Sequence, residues 1–297
     1  MKTLDMENNF LALEKQHSNY DNSNIVILPV PYEYTVSYGK GTERGPAAII
    51  NASHYVEFYD EEFQKELCFG KGIATLEYMD FRNIKDSEAL NMITEKVRSL
   101  LKKDKFVVTL GGEHTISQAP IRSYYEKYPE MSVLQFDAHS DLRNEYEGTP
   151  LSHACVMARA AGFFPPGKIT QVGIRAQCKE EAEFIKKNNV KTFYASSIRK
   201  GEHGKDWQKK VCDSLAKEIY ITFDVDYFDP SIMPSTGTPE PDGFLYSETL
   251  DIFREIRNSG RKIIGFDVVE LAPVEGLSHP DMTVASLVYK MLNFALA

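Results

Sequence analysis

The stretch SVLQFDAHSD, residues 132–141, runs from an apolar segment directly into two aspartates and a histidine. Three other stretches repeat this arrangement: FVVTLGGEH (106–114), IYITFDVD (219–226) and KIIGFDVVE (262–270). Nearly continuous apolar runs are typical of strands buried on both faces, as in parallel sheets. The carboxyl ends of parallel strands share one edge of the sheet, where ligands bind. The pattern therefore predicts a mainly parallel sheet with acids and histidines gathered at one edge.

The segments between these strands have helical periodicity. Asp86 or Ser87 would cap one helix, and Ser247 would cap another that ends before Gly260. The first helix has apolar residues at helical spacing, namely Leu90, Ile93, Val97 and Leu101. Strands and helices alternate along the chain without a repeat or a linker. This organisation predicts an α/β fold with three layers, α/β/α, in one domain spanning residues 1–297.

Composition limits the classes of partner. The chain has 34 basic and 43 acidic residues and a net charge of −9, which argues against nucleic acid and anionic membranes as ligands. A small cationic substrate is compatible with this charge. The sequence has no apolar segment long enough to cross a membrane. Its four cysteines lack CxxC spacing, so we expect reduced thiols and a cytoplasmic protein.

The strand ends carry side chains suited to two divalent metal ions. The candidate ligands are His114, Asp137, His139, Asp141, Asp224 and Asp226. Asp137, His139 and Asp141 alternate, so in an extended segment they would point to the same side. A hydrogen-bonded loop would explain any one cluster alone, but three clusters at strand ends favour a metal site. Two ions that share carboxylates can activate water as a nucleophile, which makes a metal-dependent hydrolase the leading hypothesis.

Two further residues, His153 and Glu270, each have more than one possible role. His153 follows the central motif in a polar segment, where a histidine could transfer protons or simply begin a helix. Glu270 follows an apolar strand and could bind a substrate or pair with a basic helix end. The residues alone do not decide between these roles.

Several motifs carry a resemblance to a known family. They are PVPYEYTVSYGKGTERGPAAI (29–49), GGEHTIS (111–117), FDAHSDLR (136–143), SHA (152–154), VGIR (172–175), FDVDYFDPSIMPSTGTPEPDGF (223–244) and GFDVVELAP (265–273). In these motifs, which are distributed over nearly the whole chain, the sequence resembles the ureohydrolases, a family that includes arginase and agmatinase. The resemblance implies an arginase-like fold with two Mn²⁺ ions per subunit, and a homo-oligomer, commonly a trimer or hexamer.

The resemblance also implies a division of the ligands between the two ions. One ion would be held by His114, Asp137, Asp141 and Asp224, and the other by His139, Asp137, Asp224 and Asp226. Asp137 and Asp224 would then be bridges. Ligation rich in oxygen, with one imidazole per ion, suits Mn²⁺ better than the thiolate or histidine-rich sites that favour zinc.

Catalytic roles follow from the same resemblance. Glu270 would bind the planar guanidinium group of the substrate through paired hydrogen bonds. Asp141 would orient the nucleophile and relay its proton, and His153 would protonate the departing amine. The products would be urea and an amine.

The substrate is predicted from the segment after the central motif. Glu145 and Glu147 make this segment acidic, and Arg143 offsets them only in part, so an acidic rim would favour agmatine over arginine.

Aminopropyl-agmatine, guanidinobutyrate and arginine are alternatives within the family. Outside it, the alternatives are a metal-dependent deacetylase with one zinc and a non-catalytic binding protein. Ala154 and Asp242 stand where many relatives have glycine, and both could reshape the mouth of the pocket.

Overall fold

The computed structural model describes residues 1–297 and contains one sheet of eight strands. The strands are β1 Ile25–Val30, β2 Ile73–Thr75, β3 Phe106–Gly111, β4 Ser132–Phe136, β5 Ile169–Val172, β6 Lys191–Phe193, β7 Glu218–Asp224 and β8 Lys262–Val269. Their order is β2-β1-β3-β8-β7-β4-β5-β6, and every neighbouring pair is parallel. The predicted parallel sheet is confirmed, with all four predicted strands at its centre.

Eleven α-helices accompany the sheet. They are α1 Lys15–Ser18, α2 Gly45–Ser53, α3 Leu67–Lys71, α4 Asp86–Leu101, α5 Gln118–Lys127, α6 Val156–Ala160, α7 Lys179–Asn188, α8 Ala195–Arg199, α9 Trp207–Asp213, α10 Tyr246–Asn258 and α11 His279–Leu296. None of them has both the length and the apolar character needed to cross a membrane. All four cysteines are free.

The predicted helix caps are wrong in detail. Helix α4 begins at Asp86, but neither Asp86 nor Ser87 is the capping residue, and no side chain caps this end. Helix α10 begins at Tyr246, so Ser247 already lies inside it. There the carboxylate of Glu248 accepts a hydrogen bond of 2.8 Å from the backbone N–H of Leu245. A glutamate in the first turn thus replaces the predicted serine cap.

Two apolar cores cover the two faces of the sheet. Successive side chains of a strand point to opposite faces, and in β1 Ile25 and Ile27 pack in one core while Val26 and Leu28 pack in the other. The first core also contains the buried faces of α2, α10 and α11, and the second contains those of α4 and α5. Full burial of one such aliphatic side chain stabilises the fold by about 1.5–3 kcal/mol. Helices on both faces confirm the three-layer α/β/α architecture.

The carboxyl ends of the central strands β3, β8, β7 and β4 lie side by side. A close backbone approach fixes the turn after β3. The N–H of Gly112 donates to Val30 O at 3.0 Å, and a Cβ at this position would lie 2.0 Å from Tyr32 O. Only glycine allows this turn to pass so near the segment after β1. Residues far apart in sequence therefore converge at this edge.

Candidate active site

A cleft of about 430 Å³ opens at the carboxyl edge of the central strands. Five of the predicted site residues line it, namely His139, Asp141, His153, Asp224 and Asp226. Two others, His114 and Asp137, are fully buried beneath them. Glu270 is also buried and contacts both His114 and His153. The structure thus brings all the predicted site residues into one region.

Two clusters of histidine and aspartate form the floor of this cleft. His114 Nδ1 lies 3.1 Å from Asp137 Oδ2, 3.0 Å from Asp141 Oδ2 and 3.2 Å from Asp224 Oδ2. In the second cluster, His139 Nδ1 lies 2.9 Å from Asp226 Oδ2 and 3.7 Å from Asp137 Oδ1. The two oxygens of Asp137 therefore face different clusters, as a bridging carboxylate requires.

Asp224 has a less symmetrical position. Its Oδ2 faces His114, whereas its Oδ1 accepts a hydrogen bond of 2.9 Å from the backbone N–H of Asp226. This bond closes the short 3₁₀ turn Val225–Tyr227, which directs Asp226 toward His139. At the end of β7, the first aspartate of the DxD motif therefore faces His114 and the second faces His139.

The charge of the clusters suits divalent cations. Asp137, Asp141, Asp224 and Asp226 are buried, and histidine is the only basic side chain within 4.0 Å of any of them. Burial and the neighbouring carboxylates raise the pKa of Asp137 to about 7, and the same causes raise that of Asp224.

The surroundings of His114 also favour a divalent cation in the first cluster. The Nδ1 atom of His114 is buried among three carboxylate oxygens without a conventional hydrogen bond. The donor set therefore fits two divalent ions, which would compensate the four negative charges and be coordinated by the imidazole nitrogens that face these carboxylates.

A buried hydrogen-bond relay behind His114 fixes its ring. His114 Nε2 lies 2.9 Å from Thr222 Oγ1, and this hydroxyl donates to Asp267 Oδ1 at 2.7 Å. Because the hydroxyl proton of Thr222 goes to Asp267, Thr222 accepts from His114 Nε2–H. The relay leaves Nδ1 free to face the carboxylates, the arrangement usual for a metal-binding histidine. Sequence reasoning missed Thr222, although it alternates with Asp224 in β7.

His153 and Glu270, whose roles were predicted separately, lie in contact with each other. His153 Nδ1 lies 3.5 Å from Glu270 Oε1, and its Nε2 lies 3.1 Å from Ser37 Oγ. Burial opposes the charged imidazole, but the hydrogen bond and charge of Glu270 prevail and raise the pKa of His153 to about 9. His153 also begins the 3₁₀ turn His153–Cys155 capped by Ser152, so the helix-start alternative holds as well.

Glu270 is held in a strained conformation. Its φ is +66°, which non-glycine residues rarely adopt. Its N–H donates to Gly112 O at 2.9 Å, and its Oε1 accepts the N–H of His114 at 2.6 Å. These two bonds clamp the end of β8 to the turn after β3 and direct the carboxylate into the site.

Arg175, from the VGIR motif, had no predicted role. Its Nη2 donates to Asp226 O at 2.6 Å and to Glu240 O at 2.9 Å, and its Nε donates to Pro241 O at 2.9 Å. The guanidinium group thereby ties the turn after β7 to the loop that forms one wall of the cleft. The motif itself was the only sequence signal that could have identified it.

The predicted acidic rim at Glu145 and Glu147 is wrong in position. Both residues are exposed and neither lines the cleft. The cleft is instead lined by Arg143 and by Tyr146, over whose ring the Arg143 guanidinium lies at 4.9 Å. A tight turn, with φ of +49° at Glu147 and +83° at Gly148, directs Tyr146 inward and its acidic neighbours outward.

The two departures from the family pattern differ in their surroundings. Ala154 lines the cleft, so a change from glycine there adds a methyl group to its wall. Asp242 does not line it. Its φ is +65°, a conformation that glycine adopts readily, and its Oδ1 lies 3.6 Å from Arg199 Nε. Only the first position could change the shape of the pocket directly.

The chain is similar to known proteins over most of its length. Residues 23–293 match the arginase family. The chain is 36% identical to an N(1)-aminopropylagmatine ureohydrolase of Synechocystis sp. over 93% of this chain and 90% of that protein. It is also 36% identical to an agmatinase of Bacillus cereus, over 91% of this chain and 90% of that protein. An agmatine ureohydrolase structure from Thermoplasma volcanium superposes with a TM-score of 0.85 and 27% identity, covering 99% and 94% of the two chains.

These matches extend over nearly the whole chain. They disfavour the deacetylase and the non-catalytic alternatives, because the relatives are named as ureohydrolases. The protein is a member of the arginase family, whose metal-dependent ureohydrolases cleave a C–N bond of guanidino compounds.

Proposed function

We propose that this ureohydrolase acts on agmatine and releases urea and putrescine. The observation that carries the proposal is the convergence, at one cleft, of two histidine–aspartate clusters with the buried carboxylate of Glu270 and the imidazole of His153. A guanidinium group needs each of these parts for hydrolysis: a carboxylate to bind it, a nucleophile and an acid for the departing nitrogen.

The metal ligands are proposed as two sets around Asp137. His114, Asp141 and Asp224 would complete one set, and His139, Asp224 and Asp226 the other. Mn²⁺ is the proposed metal, since the donors are mostly carboxylate oxygens with one imidazole in each set. When bound, the two ions would supply the positive charge that activates water as a nucleophile.

The chain's own residues would bind the substrate and move protons. The Glu270 carboxylate accepts N–H groups of the guanidinium, and its charge matches this permanently charged group. His153, with a pKa raised to about 9, holds a proton at neutral pH and donates it to the departing amine. Asp141, at the edge of the first cluster and in the cleft wall, accepts the proton of the attacking water.

The chain is similar to both an agmatinase and an aminopropylagmatine ureohydrolase, so aminopropyl-agmatine is a second candidate substrate. Agmatine and aminopropyl-agmatine share a guanidinium group and a cationic tail, whereas arginine and guanidinobutyrate carry a carboxylate. The test is urea release from these four compounds after loading with Mn²⁺, with metal counted by elemental analysis. We expect two ions per chain and the highest kcat/KM on agmatine. Preference for arginine or guanidinobutyrate would overturn the substrate assignment.

Other expectations remain predictions. These are the cytoplasmic location, the single domain over residues 1–297 and the trimeric or hexameric assembly. Cell fractionation, limited proteolysis and light scattering, respectively, would test them.

A further inference from the structure

Among the acidic residues of the cleft wall, one carboxylate has no hydrogen-bond partner. Asp141, Asp224 and Asp226 belong to the two clusters. Glu181 is buried, and its two oxygens accept backbone N–H groups at 2.9 Å and 2.6 Å. Glu240 forms no hydrogen bond through its side chain, and its nearest basic atom is His139 Nε2 at 3.8 Å. Its charge is therefore available to a ligand.

We propose that Glu240 binds the distal cationic group of the substrate and thereby determines the preference for a guanidino compound that ends in an amine. This inference rests on the proposed function and identifies the residue responsible for its specificity. It replaces the acidic rim that the sequence suggested, since Glu145 and Glu147 lie outside the cleft.

Glu270 and Glu240 lie at different depths, which suits a ligand with a positive charge at each end. The side chain of Glu270 is 4% exposed, that of His153 12% and that of Glu240 38%. Glu270 therefore lies deeper than Glu240, which lines the cleft and is nearer the solvent. A substrate whose guanidinium reaches Glu270 would extend its tail outward, past His139, toward Glu240.

The backbone that carries Glu240 is held independently of its side chain. Arg175 donates to the carbonyl oxygens of Glu240 and Pro241, both at 2.9 Å. Nearby, the N–H of Gly243 donates to Asp229 Oδ2 at 3.0 Å. A change of the Glu240 side chain should therefore leave the loop in place, so that a variant reports on charge rather than on folding.

The two arginines of the cleft do not cancel this charge. Arg175 donates to six backbone carbonyl oxygens, and no carboxylate lies within 4.0 Å of it. Arg143 lies over the ring of Tyr146, and its Nε is 4.0 Å from Glu181 Oε2. Arg143 would favour a carboxylate at the tail of the substrate, so guanidinobutyrate is the compound that opposes the proposal most directly.

A positioning role for Glu240 is the alternative. Metal-binding histidines often donate their second ring nitrogen to a carboxylate, but 3.8 Å between His139 Nε2 and Glu240 Oε1 is too long for a hydrogen bond. A positioning residue would affect every substrate and the metal content. A residue that binds the tail would affect only substrates with a charged tail.

The experiment compares agmatine with butylguanidine, which has the same guanidinium and four-carbon chain but no terminal amine. The Mn²⁺-loaded full chain and its Glu240→Gln variant are assayed for urea release, and their metal content is measured. We expect kcat/KM for agmatine to fall about tenfold in the variant, mainly through KM, which corresponds to about 1.4 kcal/mol. The value for butylguanidine and the metal content should not change. Glu145→Gln, an exposed glutamate outside the cleft, is the matched control and should keep the wild-type preference.

Three results would overturn the assignment of Glu240. The first is an unchanged ratio of agmatine to butylguanidine in Glu240→Gln. The second is an equal loss on both compounds with a loss of metal, which would make Glu240 a positioning residue for His139. The third is a wild-type preference for guanidinobutyrate. Absence of urea release by the wild type from every guanidino compound would instead refute the proposed function, and the inference with it.

Discussion

Replacement of Glu270 by glutamine separates the charge of this residue from its structural role. Its Oε1 accepts the buried N–H of His114, and its backbone N–H donates to Gly112 O. An amide oxygen can still accept from His114, so Glu270→Gln should keep the turn that carries this histidine. Glu270→Ala would instead leave the N–H of His114 without a partner and open a cavity, so the loss of charge could not be separated from structural damage.

The loss of charge should weaken substrate binding in the transition state. A hydrogen bond to a charged group contributes about 1.5–3 kcal/mol, and each 1.36 kcal/mol is a factor of ten in rate. We therefore expect kcat/KM to fall about 10- to 100-fold in Glu270→Gln. The pKa of His153 should fall as well, because Glu270 is what raises it.

The assay is urea release from agmatine by Mn²⁺-loaded protein, with metal content measured on the same samples. Glu275→Gln is the matched control, since Glu275 is an exposed glutamate in the same segment of the chain. We expect two ions per chain in both variants and wild-type kinetics in the control. Wild-type kcat/KM in Glu270→Gln would remove Glu270 from the substrate site. A loss of metal would show that its role is to hold the turn at His114.

Three more predictions concern the metal clusters and His153. Asp137→Ala should lose both ions, because Asp137 faces both clusters; two ions per chain by elemental analysis would contradict this. Thr222→Val should weaken metal binding about 10- to 100-fold in a chelator competition, since it removes the partner of His114 Nε2; unchanged affinity would rule out the relay. In the metal-free protein, His153 should titrate near pH 9 by NMR, above the 6.5 expected when unfolded. Its contribution to the unfolding free energy should be complete below about pH 6.5 and lost as the pH rises through about 9, so a midpoint below 6.5 would be inconsistent with the Glu270 contact.

The sequence by itself determined the architecture and the candidate ligands. Apolar runs such as 132–136 and 219–223 are long enough and apolar enough to predict buried strands, and the strands are where this pattern places them. Aspartate directly after such a run must lie at the carboxyl edge, because strand direction is shared in a parallel sheet. This local rule allowed Asp137 and Asp224 to be placed together without knowledge of the fold.

Helix starts were less predictable. Serine and aspartate are frequent caps, but the structure begins α10 one residue before Ser247 and uses Glu248 instead. Helix ends fray by one or two residues, so a candidate cap in the sequence places the start of a helix only to within that range.

Only the tertiary structure decided which side chains meet in the cleft. The contact of His153 with Glu270 joins residues 117 positions apart, and the His114–Thr222–Asp267 relay joins the turn after β3 to β7 and β8. Glu145 lies outside the cleft beside a turn with positive φ at Glu147 and Gly148, whereas Glu240 lines the cleft. Strand pattern is a local property of the chain, whereas the direction of a loop side chain is set by contacts that form only when the chain is folded.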